Sequence, residues 1–198
     1  MLLEELKSLG INAKKYSLAA KLKSTCCKFA DLPEEYAYDE VLKEKVLEKT
    51  IPFTMNELDF VLSEFEVVLP QELKKTLVVP EGFPTIRRAL QYVGTDVLRH
   101  ASASIHCEVT EKVMIKEGAP LAIISDCRFF NEADYFKSSV MFVHRQAKMP
   151  ENTPDLHKSE KEMFELMAEL PVIDNNSSLE NLRKKAKRLA VVLKNNLK

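Results

Sequence analysis

The stretch that decides the fold is Leu121–Ser125, LAIIS, a short apolar segment followed by Asp126 and, two positions later, by Arg128. A continuous apolar run of this length between turn residues is typical of a strand buried on both faces of a parallel sheet. A second run of this kind, Val140–His144 (VMFVH), ends at Arg145. Open parallel sheets bind ligands at the carboxyl ends of their strands. We therefore predict Asp126, Arg128 and Arg145 as site residues.

The rest of the chain alternates strand-like and helix-like segments. Two further strands are predicted at Ala13–Ala19 and Pro171–Asp174. Such alternation predicts an α/β fold, with a parallel sheet covered by helices on both faces. Helices are predicted at residues 2–9 (with Gly10 as the C-terminal cap), Lys21–Phe29, Thr85–His100, Glu108–Lys116 and Asn131–Lys137, and behind the S-x-x-E capping box Ser177–Glu180, with Leu179 on the buried face.

Two segments depart from this alternation. Residues 33–84 contain prolines between charged, amphipathic pieces, and we predict a mainly helical lobe inserted into a single domain spanning residues 1–198. Residues 146–162 are polar and contain Pro150 and Pro154, which predicts an exposed loop or lid.

Charge and composition exclude several classes of function. Lys plus Arg number 29 and Asp plus Glu number 30, so the net charge of −1 argues against a nucleic-acid binder. The apolar runs are too short to span a membrane, and no secretory leader is recognised at the start. The four cysteines match no zinc spacing, which favours reduced thiols in the cytoplasm. No metal-ligand cluster is predicted.

The positions of the arginines favour phosphate chemistry, because a guanidinium grips phosphate oxygens with two parallel hydrogen bonds. Of the seven arginines, Arg87, Arg88, Arg128 and Arg145 fall at helix starts or strand ends. Asp126, two residues before Arg128, has two interpretations. It either holds a magnesium-bound water or orients the arginine, or it forms a purely structural pair with it.

Gly94 interrupts the predicted helix Thr85–His100. A glycine inside a helix costs roughly 1 kcal/mol relative to alanine. Close approach of a ligand to the backbone and a tight crossing of two helices explain that cost equally well.

Five segments, in this order, resemble the phage-type deoxynucleoside monophosphate kinases of the P-loop kinase superfamily. They are YSLAAKLK (16–23), IRRALQYVGTD (86–96), SDCRFFNEAD (125–134), DLHKSE (155–160) and VIDNNSSLENL (172–182). The resemblance covers almost the whole chain except residues 33–84. It implies catalytic roles for Asp126 and Arg128, substrate binding by Lys23, Arg87, Arg88, Gly94, Thr95, Asp96 and Glu132, and a lid that carries Arg145, Asp155 and His157.

The implied reaction is transfer of the γ-phosphoryl group of ATP, with Mg²⁺, to a nucleoside 5′-monophosphate. Such a reaction is accelerated mainly by the positioning of the two substrates and by cations that stabilise the charge of the transferred phosphoryl group. The family usually carries an Asp and a Trp after the Gly-Thr-Asp helix, whereas this region reads HASASIHCEV and the chain has no Trp. The preferred base and sugar therefore stay open. If encoded by a phage, the protein would act in the host cytoplasm.

The family's phosphate-binding loop, G-x-x-x-x-G-K-[ST], is not found in these 198 residues, and neither is the strand before it. Three interpretations follow. The chain is an incomplete or split kinase whose loop lies on a preceding segment or a separate chain; or it binds nucleoside monophosphates without catalysis; or it is an interaction protein with residues 33–84 as its partner surface. The first is favoured, so the enzymatic activity of this chain on its own, like homodimer formation, stays open.

Overall fold

The computed structural model describes residues 1–118, 120–136, 141–144 and 171–197. The chain divides into two compact units, which we call the sheet unit (Met1–Ser17 with Val113–Lys198) and the helical unit (Leu18–Lys112). In chain order the elements are α1 (Leu2–Ser8), β1 (Ala13–Tyr16), α2 (Ala20–Ala30), α3 (Glu35–Tyr38), α4 (Glu40–Glu44), β2 (Ile51–Pro52), α5 (Met55–Phe65), α6 (Gln71–Thr76), β3 (Gly82–Phe83), α7 (Ile86–Gln91), a π-helix (Tyr92–Leu98), α8 (Arg99–Ala101), α9 (Ile105–Glu117), β4 (Leu121–Ile124), α10 (Phe130–Tyr135), β5 (Phe142–His144), β6 (Val172–Asp174) and α11 (Leu179–Asn196).

In the described part of the sheet unit the strands are parallel to their partners, which confirms the predicted α/β class. β1 pairs with β4, with Tyr16 opposite Ile124, and β5 pairs with β6, with His144 opposite Asp174. The prediction of one sheet differs from what is seen. Within the described residues these strands form two separate two-stranded ladders, because each strand is hydrogen-bonded along one edge only.

The core of the sheet unit lies between helices α1 and α11 and the β1–β4 ladder. Leu6, Ala13 and Ala190 are buried there. Helix α1 ends as predicted at Gly10, which has a φ of 78°. Its N–H bonds to Lys7 O at 3.0 Å and the next N–H, of Ile11, bonds to Leu6 O at 3.0 Å. This pair of bonds is a Schellman motif, in which glycine adopts the left-handed conformation without a Cβ clash.

The start of helix α11 differs from the prediction by one residue. The cap is Ser178, whose Oγ accepts a hydrogen bond from the N–H of Asn181 at 3.3 Å. The S-x-x-E box predicted one residue earlier, with Ser177 as cap and Glu180 as its reciprocal partner, is therefore not formed. Leu179, which was predicted on the buried face, is the first residue of the helix and is 61% exposed.

The core of the helical unit is built around Phe53, which follows a two-residue antiparallel ladder of β2 with β3. Its ring lies 5.2 Å from that of Phe83 and 5.5 Å from those of Phe29 and Tyr92. Edge-on and tilted aromatic pairs at these distances are favourable beyond the apolar area that they bury. The short helices α3 to α6 and this ladder occupy residues 33–84.

The predicted helix Thr85–His100 is not one α-helix. Helix α7 is followed by a seven-residue π-helix, Tyr92–Leu98, and by the single turn α8. Ile86, Val93 and Val97 are nevertheless buried, and Leu90 is partly buried against the same core. The apolar spacing predicted a helix, but it does not distinguish an α-helix, whose N–H groups bond four residues back, from a π-helix, whose N–H groups bond five residues back.

Three of the four cysteines, Cys26, Cys27 and Cys107, are buried, and all four are reduced. Burial raises the pKa of the Cys26 thiol well above its ordinary value, and the neighbouring Cys27 adds to the effect. These thiols therefore act as small apolar packing groups. Among the helices that the structure describes, none is long and apolar enough to cross a membrane.

Candidate functional site

The carboxyl ends of β1 and β4 place Ser17 beside Asp126. The ladder continues past the last paired residues, because the N–H of Ser125 donates to Tyr16 O at 3.2 Å. Directly beyond it, Ser17 Oγ donates a hydrogen bond to Asp126 Oδ2 at 2.6 Å. This is a short, charge-assisted bond between half-buried groups. The predicted position of Asp126 just past a strand end is confirmed, whereas Ser17 was missed.

Glu132 fixes the turn that carries Arg128. Glu132 is 4% exposed, and its carboxylate accepts the backbone N–H of Arg128 at 2.7 Å and of Phe129 at 3.2 Å. These N–H groups precede helix α10 and have no backbone acceptor within it, so the side chain of Glu132, in the first turn of that helix, supplies the acceptor. Glu132 therefore acts on the backbone of the Arg128 turn. The side chain of Arg128 is exposed, and its guanidinium makes no ion pair within the described part of the chain.

The donor atoms at this strand end suit Mg²⁺ better than a softer metal ion. Magnesium in kinases is usually held by one or two carboxylates together with substrate phosphates and waters. Asp126 supplies one half-buried carboxylate of this kind. No cluster of three or more His, Cys, Asp or Glu side chains suited to a metal ion occurs in residues 1–118, 120–136, 141–144 and 171–197. The residues present therefore fit a magnesium ion that arrives with phosphates.

The residues present do not fit the phosphates of ATP. A P-loop wraps them in glycine-rich backbone followed by a lysine. No two of the four glycines have the spacing of the G-x-x-x-x-G motif, and none of them is followed by a lysine. They are Gly10, Gly82, Gly94 and Gly118.

Two adjacent arginines of the helical unit have different environments. Arg87 is held by two carboxylates: its Nη2 lies 3.1 Å from Glu40 Oε2, and its Nε contacts Glu44. Arg88 is exposed, and its guanidinium has no bonded partner in the part of the chain that the structure describes. Its backbone N–H bonds to Thr85 Oγ1 at 3.2 Å, the cap of helix α7. The sequence predicted both arginines as substrate-binding residues. In the structure their environments differ, because Arg87 is ion-paired and Arg88 is exposed.

Lys23 lies on helix α2 with its Nζ 4.2 Å from the centre of the Tyr38 ring. A cation over an aromatic face at this distance is an attractive pair. Tyr38 itself is 49% exposed. Sequence inspection singled out Lys23 and missed its aromatic partner, which lies in the inserted segment 33–84.

Gly94 packs against a helix. A Cβ built on Gly94 would lie 2.6 Å from Leu22 Cδ2 of helix α2. The π-helix and helix α2 therefore pack closely at Gly94, which is the arrangement expected from the second of the two interpretations offered by the sequence. Thr95 is half-buried and Asp96 is exposed on the same π-helix. Burial raises the pKa of Tyr92, and the nearby Asp96 carboxylate raises it further.

The predicted lid, residues 146–162, lies outside the described residues. The same holds for its three candidate residues, Arg145, Asp155 and His157.

Fold and site together define a mixed α/β protein with a carboxylate and an arginine beyond a strand end. The family model for deoxynucleotide monophosphate kinase matches residues 36–186. The match includes the candidates from Arg87 to Glu132 and leaves Lys23 outside. A protein of Acanthamoeba polyphaga mimivirus with the provisional name deoxynucleotide monophosphate kinase is 30% identical over 133 residues, 61% of this chain and 69% of the relative. The chain belongs to the deoxynucleotide monophosphate kinase family.

Proposed function

We propose that this chain binds a deoxynucleoside 5′-monophosphate, the acceptor of a phosphoryl group from ATP, and that Arg88 grips its phosphate. The observation that carries this is the contrast between Arg87 and Arg88. One guanidinium is neutralised by Glu40 and Glu44, while its neighbour is exposed and not ion-paired within the described residues. The positive charge of Arg87 is already balanced by two carboxylates, which makes it less available to an anionic ligand. The N–H donors of the Arg88 guanidinium, which bond to no described residue, are available to a phosphate.

Lys23, Thr95 and Asp96 contribute to the same acceptor subsite in this proposal. All three belong to the helical unit, together with Arg88. Lys23 adds a second cation, and Thr95 and Asp96 offer hydroxyl and carboxylate groups that can bond to the sugar or base. Gly94 contributes through its contact with Leu22, which sets the path of the π-helix that carries both groups.

The sheet unit supplies the groups that act on phosphates undergoing transfer. Arg128, on a turn fixed by Glu132, presents a guanidinium that is not ion-paired with any described residue and can stabilise developing negative charge. Asp126, held by Ser17, carries the carboxylate suited to Mg²⁺. When bound, Mg²⁺ neutralises charge on phosphate oxygens. The lid residues Arg145, Asp155 and His157 remain candidates from the resemblance.

We propose further that the ATP phosphates are held by a segment outside the given sequence, either preceding it or on a separate chain. Two observations support this: the missing G-x-x-x-x-G-K-[ST] stretch, and the separation of the four parallel strands of the described residues into two ladders. A further strand that pairs with one member of each ladder would join them into a single sheet. Such a strand would also cover edge backbone groups that have no strand partner among the described residues.

The first experiment is calorimetric titration of the chain with dAMP, dGMP, dCMP and dTMP. At least one should bind. Arg88→Ala should weaken it roughly 10- to 150-fold, because hydrogen bonds to charged groups contribute about 1.5–3 kcal/mol. The matched control is Arg87→Ala, which should lower the melting temperature and change the affinity much less. If none of the four nucleotides binds, or both variants weaken binding equally, the acceptor assignment is wrong.

The second experiment measures phosphoryl transfer from ATP by the chain, with and without a co-expressed segment consisting of a strand and a G-x-x-x-x-G-K-[ST] loop. Transfer should depend on the added segment and on its lysine. Binding without transfer under both conditions would favour a non-catalytic nucleotide-binding protein. Transfer by the chain without any addition would contradict the proposal of an external loop.

A further inference from the structure

Two histidines bond to neighbouring carbonyls of the π-helix Tyr92–Leu98. His106 Nε2 lies 3.3 Å from Gly94 O, and His100 Nδ1 lies 3.1 Å from Thr95 O. A carbonyl oxygen can only accept, so each of these ring nitrogens carries the hydrogen. The two acceptors are consecutive residues of the segment that holds the acceptor-side candidates Gly94, Thr95 and Asp96.

A π-helix needs such support where it returns to α-helical bonding. Its N–H groups bond five residues back, whereas those of an α-helix bond four residues back. At the change from five to four, one carbonyl is skipped by the backbone ladder. Such a change lies between the π-helix and α8, close to Thr95. Buried carbonyls without donors are costly, and side-chain N–H groups are one way to satisfy them.

His106 makes its contact with Gly94 O from within the core. It is 6% exposed, in the first turn of helix α9. Its ring meets Phe65 edge-on, with the ring centres 6.1 Å apart. Packing on helix α5 therefore orients the imidazole whose Nε2 points to Gly94 O. His100 makes the corresponding bond from the exposed side.

The π-helix sets how Arg88 and Asp96 are oriented relative to each other. Arg88 precedes it and Asp96 lies within it. One residue of an α-helix corresponds to about 100° of rotation and 1.5 Å of rise. If the segment relaxed to α-helical bonding, the residues after the change would turn by about one residue relative to those before it. Thr95 and Asp96 would then change their direction relative to Arg88.

We infer that His106 and His100 are positioning residues, which hold the π-helix in register and so place Thr95 and Asp96 for the acceptor nucleotide. The inference rests on the proposed function of this segment. Neither histidine needs to touch the nucleotide. His106 holds the register from the core and His100 from the surface, so their removal should differ in its effect on folding.

The test separates the register from ligand binding through two measurements on the full chain. The first is hydrogen exchange of the amides of residues 92–100. His106→Leu should speed exchange there by roughly 3- to 10-fold, the effect of one hydrogen bond, and His106→Gln, which restores an N–H donor, should reverse most of it. If His106→Leu leaves this exchange unchanged, or if Gln is no better than Leu, the histidine does not hold the register.

The second measurement is the affinity for dAMP, dGMP, dCMP and dTMP. His106→Leu should weaken the nucleotide that binds by roughly 3- to 10-fold, with Gln near wild type. His100→Ala, at an exposed position, covers the case in which His106→Leu fails to fold. It should weaken binding about 3-fold, with His100→Gln restoring it. Faster exchange with unchanged affinity would overturn the positioning role. Absence of binding by the wild-type chain would instead overturn the proposed function, and the exchange result would stand by itself.

Discussion

Ser17 and Asp126 join the carboxyl ends of two parallel strands through one hydrogen bond of 2.6 Å, from Ser17 Oγ to Asp126 Oδ2. Because β1 and β4 are in register up to Tyr16 and Ile124, the two side chains meet just beyond the ladder. The serine therefore orients the carboxylate that we assign to magnesium and phosphate chemistry.

Replacing this serine should cost stability. Ser17→Ala leaves a half-buried carboxylate without its hydroxyl donor, and we expect a loss of about 1–2 kcal/mol in the free energy of unfolding. The measurement is urea denaturation at pH 7. The matched control is Ser125→Ala, since among the described residues the contact of Ser125 Oγ is a long one, 3.5 Å to Tyr16 O. That variant should stay within about 0.5 kcal/mol of wild type. Equal losses in the two variants would contradict the special importance of the Ser17 bond.

Gly94→Ala tests whether the helix crossing explains this glycine. Alanine would gain up to about 1 kcal/mol of helix propensity, but its Cβ would press on Leu22 Cδ2, and overpacking costs about 1–3 kcal/mol. We expect a net destabilisation of about 1 kcal/mol in thermal or urea unfolding. In a Leu22→Ala background the same substitution should become neutral or stabilising, because the clash is gone. If Gly94→Ala destabilises equally in both backgrounds, the crossing is not the reason for the glycine.

How much the sequence could predict depends on the range of the interactions. The apolar run Leu121–Ser125 correctly predicted a parallel strand with Asp126 at its end, since both are local properties. The partner Ser17 could not be predicted, because it is 109 residues away and the pairing depends on strand register. The difference in environment between Arg87 and Arg88 likewise depends on Glu40 and Glu44, which tertiary packing brings close to Arg87.

Which of two adjacent serines caps helix α11 can be tested by substitution. Ser178→Ala removes the oxygen that accepts the Asn181 N–H, and the loss of such a cap costs about 1 kcal/mol. Ser177→Ala is the control and should change the free energy of unfolding by less than about 0.5 kcal/mol. Both values come from urea denaturation. The capping box read from the sequence predicts the reverse order, so a larger loss for Ser177→Ala would support that box instead.

The capping box of helix α5 should make stability depend on pH in the acidic range. The carboxylate of Glu57 accepts the hydroxyl of Thr54 at 2.5 Å and its backbone N–H at 2.7 Å. These bonds hold the pKa of Glu57 below its ordinary value of 4.5. A carboxyl with a lowered pKa in the folded state stabilises fully above the unfolded value, and this contribution is lost as the pH falls through the folded value. Glu57→Gln keeps an acceptor but has no charge to lose. At pH 7 it should be less stable than wild type by about 0.5 kcal/mol, and below pH 4.5 the two curves should converge. Urea denaturation at several pH values between 7 and 3 measures the difference, and a gap that stays constant over this range would show that the Glu57 charge does not stabilise the fold.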